Sequence, residues 1–157
     1  MKTPLIKKLN ISELISAASH LALNGKLTIS NNNLVYLDIN DAYIHQLFPL
    51  LQNQQIKKPD YFGEQSAGAH ITVIYPEEHT KINKNDLDQK YDFIITNIVT
   101  AQLGLKTYYV LLVESSSLLQ LRRKYKLPDL LSFKGYSIGF HITIGVKDNN
   151  RRSACRA

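Results

Sequence analysis

Two short segments of the chain carry the same pattern, a histidine followed two residues later by a threonine. One is GAHITV at residues 68–73, and the other is GFHITI at residues 139–144. Both lie in apolar runs rich in β-branched residues, which predicts β-strands. Because side chains alternate between the two faces of a strand, the histidine and the threonine of each segment share one face. Two imidazoles and two hydroxyls gathered around one small cavity would suit acid–base chemistry on a phosphodiester without a metal.

The residue types fit the proton transfers that such a reaction needs. Cleaving a P–O bond requires one proton to leave the attacking oxygen and another to reach the departing oxygen. Histidine, with an ordinary pKa near 6.5, can do either at neutral pH, so one imidazole must be neutral and its partner protonated. The sequence leaves open whether His70 or His141 is the acid.

Other sites are weaker in the sequence. His20, His45 and His79 lack the strand context of the two motifs, and we expect them on the surface or on a helix face. Neither motif has a second ligand at the close spacing that zinc sites use, so we expect no metal. The chain also lacks a glycine-rich phosphate-binding loop, which argues against ATP-driven ligation and against a cofactor of that kind.

Composition sets the broad class of the protein. The chain has 157 residues, 44% hydrophobic and 20% charged, which is typical of one globular domain. Its single cysteine has no partner for a disulfide, and no secretory signal or long apolar run is present, so we expect a cytoplasmic protein without a membrane anchor. The net charge of +6 favours an anionic partner; the sequence says nothing of protein partners.

The elements around the motifs predict an α+β fold. We expect helices over 11–23, capped by Asn10 or Ser12; over 41–51, capped by Asn40 or Asp41 and interrupted or ended near Pro49; and from Ser115 to before Pro128. We expect strands at 26–30, 34–39, 93–103 and 107–114 besides the two motif strands, with the last two forming a hairpin around Gly104. The order of strands and helices nearly repeats itself along the chain, and each of the two repeats ends with a strand that carries a His-x-Thr motif. It predicts two pseudo-symmetric lobes with antiparallel-rich sheets that flank a central cleft, with helices on the outside.

With these motifs and this order of elements, residues 34–147 resemble the two-histidine (2H) phosphoesterase superfamily, which includes 2′-5′ RNA ligase-like proteins and cyclic nucleotide phosphodiesterases. The resemblance implies that each lobe contributes one His-x-Thr, so that His70 and His141 are catalytic while Thr72 and Thr143 bind the substrate phosphate. Residues 1–33 are then expected to form an N-terminal helical extension packed on the domain. Residues 148–157 would form a basic C-terminal tail.

The resemblance implies a metal-independent phosphodiesterase that acts on RNA ends or on small cyclic or 2′-5′-linked nucleotides. Two alternatives stay open: a module that binds a nucleotide or RNA end without turnover, and an interaction protein whose motifs are ordinary strand residues. The aromatic residues near the motifs that could stack on a base are Tyr61, Phe62, Tyr75, Tyr136 and Phe140, and the sequence favours Tyr61 and Tyr136 because they lie on glycine-containing segments. The basic run 122–124 would either follow a nucleic-acid backbone or form a solvated helix end that matches the helix dipole.

Overall fold

The computed structural model describes residues 2–53, 55–60 and 66–149. Within these ranges the strands are β1 (Leu5–Lys8), β2 (Asn24–Ile29), β3 (Val35–Asp38), β4 (His70–Ile74), β5 (Lys90–Asp92), β6 (Ile94–Leu103), β7 (Lys106–Glu114), β8 (Leu131–Phe133), β9 (Tyr136–Ile138) and β10 (His141–Asp148). The α-helices are α1 (Ser12–Ser19), α2 (Ala42–His45) and α3 (Ser116–Lys124), and short 3₁₀ helices lie at Phe48–Leu51, Pro76–Glu78 and Lys84–Asp86. In this described part of the chain, none of the helices has the length and apolarity needed to cross a bilayer.

Eight strands form one sheet in the order β1-β6-β7-β10-β4-β3-β2-β5, and β8 pairs with β9 in a separate hairpin. Neighbouring strands of the large sheet are antiparallel throughout. The predicted α+β class with mainly antiparallel strands is confirmed. The expectation of a separate sheet in each lobe is not met, because the two motif strands β4 and β10 pair with each other at the centre, around Ile71 and Ile142.

One face of this sheet carries the hydrophobic core. Ile71 and Ile142, the residues between histidine and threonine in each motif, are fully buried there. The helices pack on the same core through residues such as Leu14, Tyr43 and Leu118. Each large apolar side chain buried in this way contributes about 1.5–3 kcal/mol. The alternation along β4 and β10 therefore fixes which face is core and leaves the histidines and threonines on the other.

The first helix starts where the sequence predicts but is shorter and is capped differently. α1 begins at Ser12 and ends at Ser19, whereas the apolar periodicity extends to residue 23. Ile11 holds the cap position and no side chain accepts a hydrogen bond there, so the predicted cap by Asn10 or Ser12 is wrong. The chain leaves the helix early because residue 24 already begins β2 in the sheet.

In the other two predicted helices, a proline interrupts one and a serine caps the start of the other. The helix expected over 41–51 is interrupted near Pro49, as predicted: it is divided into α2 and the 3₁₀ helix at Phe48–Leu51, in whose first turn Pro49 lies. Proline cannot continue an α-helical ladder because it lacks the backbone N–H. α3 follows the prediction: the Ser115 hydroxyl accepts a hydrogen bond from the Leu118 backbone N–H at 3.2 Å.

Residues 2–33 contain the helix that the sequence indicates, and they also supply strands to the main sheet. β1 pairs with β6 at one edge of the sheet, and β2 pairs with both β3 and β5 near the other edge. These residues are therefore part of the framework that holds the motif strands. Of the basic tail expected at 148–157, residues 150–157 lie outside the described part of the chain.

The side chain of Arg122 is fully buried, which the sequence interpretation of the basic run 122–124 missed. Its five N–H groups make five hydrogen bonds: two to the carboxylate of Glu78, at 2.7 and 3.0 Å, and three to the carbonyls of Val73, Pro128 and Leu130. An arginine saturated in this way is neither a solvated helix end nor a phosphate contact. It ties α3 to the end of β4 and to the chain leading into β8.

Candidate active site

The pairing of the two motif strands gathers their four polar side chains. Because β4 and β10 are antiparallel around Ile71 and Ile142, the register sets His70 opposite Thr143 and Thr72 opposite His141. The two histidines are then diagonal neighbours, a relation that places the two residues about 7–8 Å apart, with their Cβ atoms somewhat closer. All four side chains line one cavity of about 440 Å³. The structure thus brings together the four residues that the motifs predicted.

Both motif strands depart from regular pairing at the same place. In β4 the register with β3 shifts between Thr72 and Ile74, and in β10 the register with β7 shifts between Thr143 and Gly145. Each strand therefore carries one extra residue directly after its motif threonine. Such bulges increase local twist and are frequent beside active sites, where they turn side chains toward a ligand.

A backbone hydrogen bond orients each imidazole. The Nδ1 of His70 lies 2.7 Å from the carbonyl oxygen of Gly68, and the Nδ1 of His141 lies 2.9 Å from that of Gly139. A carbonyl oxygen only accepts, so each Nδ1 carries the proton and donates. The Nε2 of each ring is then the nitrogen that accepts a proton when the ring becomes charged and releases it when the ring becomes neutral.

The backbone directly before His70 is fixed by Asp41, which the sequence assigned to a helix cap. The Oδ1 of Asp41 accepts the backbone N–H of Ala69 at 2.9 Å and does not cap α2. Gly68 has φ +68°, and a Cβ built there would lie 2.6 Å from the same oxygen. Glycine is therefore required at this position, both for its conformation and for the close approach of Asp41.

The electrostatic surroundings of the two imidazoles differ. Burial lowers the pKa of His70, while the Gly68 carbonyl and the negative charge of Asp38 raise it. Burial also lowers the pKa of His141; the Gly139 carbonyl raises it, and the positive charge of His70 lowers it. The net effect lowers the pKa of both imidazoles below the ordinary value. An anionic phosphate bound between the rings would raise the pKa values again and so favour the protonated form.

The cavity is otherwise apolar along much of its wall. β6 and β7 contribute Ala101, Leu103, Tyr108, Val110 and Leu112. No lysine or arginine is among the described residues that line it, so within this set the histidines are the side chains that can carry positive charge. A volume of about 440 Å³ falls in the range of small-molecule sites.

Residues 35–151 match the family model of the 2H-SAK (Swiss Army Knife) 2H phosphoesterase domain, which covers both motifs and the cavity strands that carry them. The chain belongs to the 2H phosphoesterase family. Domains of this family are generally catalytic, and the membership supports phosphodiesterase-type activity in general. Comparisons with curated proteins and with solved structures gave no match.

The 2H phosphoesterase match begins after the first two strands, yet part of the cavity wall precedes it. Thr3, Pro4 and Ile6 line the cavity together with the motif residues. The segment is held in place by Lys2, whose backbone N–H donates to the Gly135 carbonyl at 3.1 Å, and by β1, which pairs with β6. This 2H phosphoesterase therefore closes its cavity with residues from outside the matched region.

Of the aromatic residues that the sequence offers for base stacking, Tyr75 lines the cavity, but it is not one of the two that the sequence favours. Tyr61 lies outside the described residues. The hydroxyl of Tyr136 accepts the Gly104 N–H at 3.2 Å, and this side chain is not among those lining the cavity. The cavity wall instead includes Tyr75 and Phe133, whose rings lie 4.7 Å apart between centroids.

The other histidines are placed away from the cavity of this 2H phosphoesterase. His20 is exposed and its Nδ1 lies 2.7 Å from the Ser16 carbonyl, His45 ends α2, and His79 follows the 3₁₀ helix at Pro76–Glu78. Across residues 2–53, 55–60 and 66–149, no three side chains of histidine, cysteine, aspartate or glutamate are grouped as metal ligands.

The motif threonines are nearly buried, with 6% and 9% of Thr72 and Thr143 exposed. Replacing either with valine keeps the shape and removes the hydroxyl that would donate to a phosphate oxygen. We expect kcat to fall by about 10²-fold, the loss typical of one donor to a developing oxyanion. Steady-state kinetics on a nucleoside 2′,3′-cyclic phosphate would measure it. Thr100→Val, in β6 but outside the cavity lining, is the matched control, and an equal loss there would contradict the role.

Proposed function

We propose that this protein is a metal-independent phosphodiesterase that acts on RNA ends or on small cyclic or 2′-5′-linked nucleotides. His70 and His141 act as the acid and the base, and Thr72 and Thr143 bind the phosphate. The observation that carries the proposal is the matched pair of Nδ1 contacts, which leaves the Nε2 of each ring as the proton-exchanging atom beside one cavity.

The chemistry follows from that arrangement. The neutral imidazole takes a proton from the attacking oxygen, and the charged imidazole gives one to the departing oxygen. The threonine hydroxyls donate to the non-bridging oxygens as negative charge develops on them. With a nucleoside 2′,3′-cyclic phosphate the attacking oxygen belongs to water. With an oligonucleotide it belongs to a neighbouring ribose hydroxyl, and a cyclic phosphate end is the product.

The proposal includes a division of the sheet into two equivalent halves that meet at a central cleft. Three repeated details support it: a His-x-Thr motif at the inner strand of each half, an Nδ1 bond to the carbonyl two residues before each histidine, and a bulge directly after each threonine. An arrangement of this kind delivers one imidazole to each side of a bound phosphorus atom.

The size and lining of the cavity support a small substrate. A volume of about 440 Å³ accommodates a ligand of mononucleotide size. Tyr75 and Phe133 provide aromatic faces on the wall, and a base stacked on such a face gains about 1–3 kcal/mol. The cavity lining therefore favours these two residues over Tyr136 as base contacts.

The test is turnover of a nucleoside 2′,3′-cyclic phosphate in the presence of EDTA. We expect product from the wild type and none above background from the double variant His70→Ala/His141→Ala. Saturable binding without product would overturn the catalytic proposal in favour of a nucleotide-binding module. If no nucleotide or inorganic phosphate raises the melting temperature either, the protein is an interaction protein whose motifs are only strand residues.

A further inference from the structure

The two motifs are alike, but the strands beside them are not. On β3, Asp38 is the register partner of His70, and on β7, Leu112 is the register partner of His141. Residues directly opposite each other in an antiparallel pair project from the same face of the sheet. One catalytic imidazole therefore has a carboxylate at its side, where the other has an isobutyl group.

Several titratable groups surround His70. Asp38 lies beside it on β3, and Tyr36 on the same strand packs edge-on against its ring, with centroids 5.5 Å apart. Asp41 precedes α2 and binds the neighbouring Ala69 backbone. From the other side, β10 presents His141 on the diagonal. Of these two carboxylates, Asp38 is the one whose charge acts on His70, and the residue at the equivalent position beside His141 is Leu112.

On the β7 side, the register neighbours of His141 and Thr143 are both apolar. β7 places Leu112 next to His141 and Val110 next to Thr143. Tyr108 follows on the same face, and burial raises the pKa of its hydroxyl, so this group stays neutral. On the β4 side the titratable neighbour of His141 is His70, whose positive charge disfavours a second charge.

We infer that His70 is the general acid and His141 the general base, and that Asp38 is the positioning residue that sets this order. When the two rings share one proton, the carboxylate of Asp38 stabilises the imidazolium form of His70. The inference rests on the proposed function, because it assigns roles within the same site. The Asp38 carboxyl itself has a raised pKa, through burial and then the charge of Asp41, while the charge of His70 lowers it.

The assignment gives a balanced reaction. The Nε2 of neutral His141 accepts the proton of the attacking hydroxyl or water as the new O–P bond forms. The bond from phosphorus to the leaving oxygen breaks, and the Nε2 proton of His70 moves to that oxygen. The rings exchange one proton through solvent before the next turnover, so no other reactant is consumed.

The first experiment is the pH dependence of kcat/KM for Asp38→Asn. Activity falls at high pH as His70 loses its proton, and at low pH as His141 gains one. Since Asp38 raises the pKa of His70, its removal should move the alkaline limb to lower pH, by a few tenths to about one unit, and leave the acid limb in place. Glu13→Gln on α1 changes the net charge equally and should move neither limb. A shift of the acid limb alone would overturn the inference.

The second experiment separates the acid from the base by the leaving group. A nucleotide p-nitrophenyl phosphodiester releases a stable phenolate that needs no protonation, whereas a ribose alkoxide does. We expect His70→Ala to lose far more activity on the ribose-leaving substrate than on the p-nitrophenyl ester, and His141→Ala to lose activity on both. The opposite pattern, or equal losses, would refute the assignment while keeping the phosphodiesterase. Wild-type rates in both variants would refute the proposed function itself.

Discussion

Replacing either His70 or His141 with alanine should lower kcat for a nucleoside 2′,3′-cyclic phosphate by about 10²–10⁴-fold, the contribution of one positioned acid or base. The two rings act in one step, so the double variant should be little worse than the more damaged single variant. Initial rates at saturating substrate, taken near the pH optimum of the wild type, would measure both effects.

The fold should survive these changes, because both rings face the cavity and the core lies on the other side of the sheet. The melting temperature of each variant should therefore stay close to that of the wild type. His20→Ala removes an exposed histidine outside the cavity lining and should leave turnover unchanged. Full activity in either motif variant would count against the mechanism.

Arg122→Ala should destabilise the protein by about 3–5 kcal/mol, the usual result of removing one partner of a buried ion pair. Glu78, whose side chain is 3% exposed, would keep a buried charge without its cation, and the carbonyls of Val73, Pro128 and Leu130 would lose their donor. For a domain of this size the loss corresponds to a Tm lowered by roughly 10 °C. Urea unfolding followed by circular dichroism would measure the free energy.

The adjacent residue offers a matched control for this experiment. Arg123 also binds a carboxylate, that of Asp129 at 2.7 Å, but both side chains are largely exposed. Solvent screens such a pair, so Arg123→Ala should change stability very little. Arg122→Lys can supply at most three of the five donors, and we expect an intermediate loss. Similar stabilities for Arg122→Ala and Arg123→Ala would show that the buried network does not hold the fold.

Local patterns in the sequence predicted the parts of the fold that local physics controls. The motif strands follow from alternation over a few residues, the β6–β7 hairpin forms around Gly104 as expected, and Ser115 caps α3. The β8–β9 hairpin and β5 were missed because strands of three residues are too short to show a period.

The missed features of the site depend on contacts between distant parts of the chain. Asp41 binds the backbone of Ala69, and Asp38 lies beside His70 only because β3 pairs with β4. The local sequence around Arg122 predicts an exposed cation on α3. The side chain is buried because it pairs with Glu78, which lies 44 residues away in the sequence. No periodicity or spacing within one segment carries such information.

The cavity wall formed by Thr3, Pro4 and Ile6 has a consequence for how this protein can diverge. The proposed reacting groups lie on the two central strands, within residues 35–151, whereas part of the cavity wall lies before that region. Substitutions at these three residues can therefore alter which ligands the cavity binds without changing the two motifs.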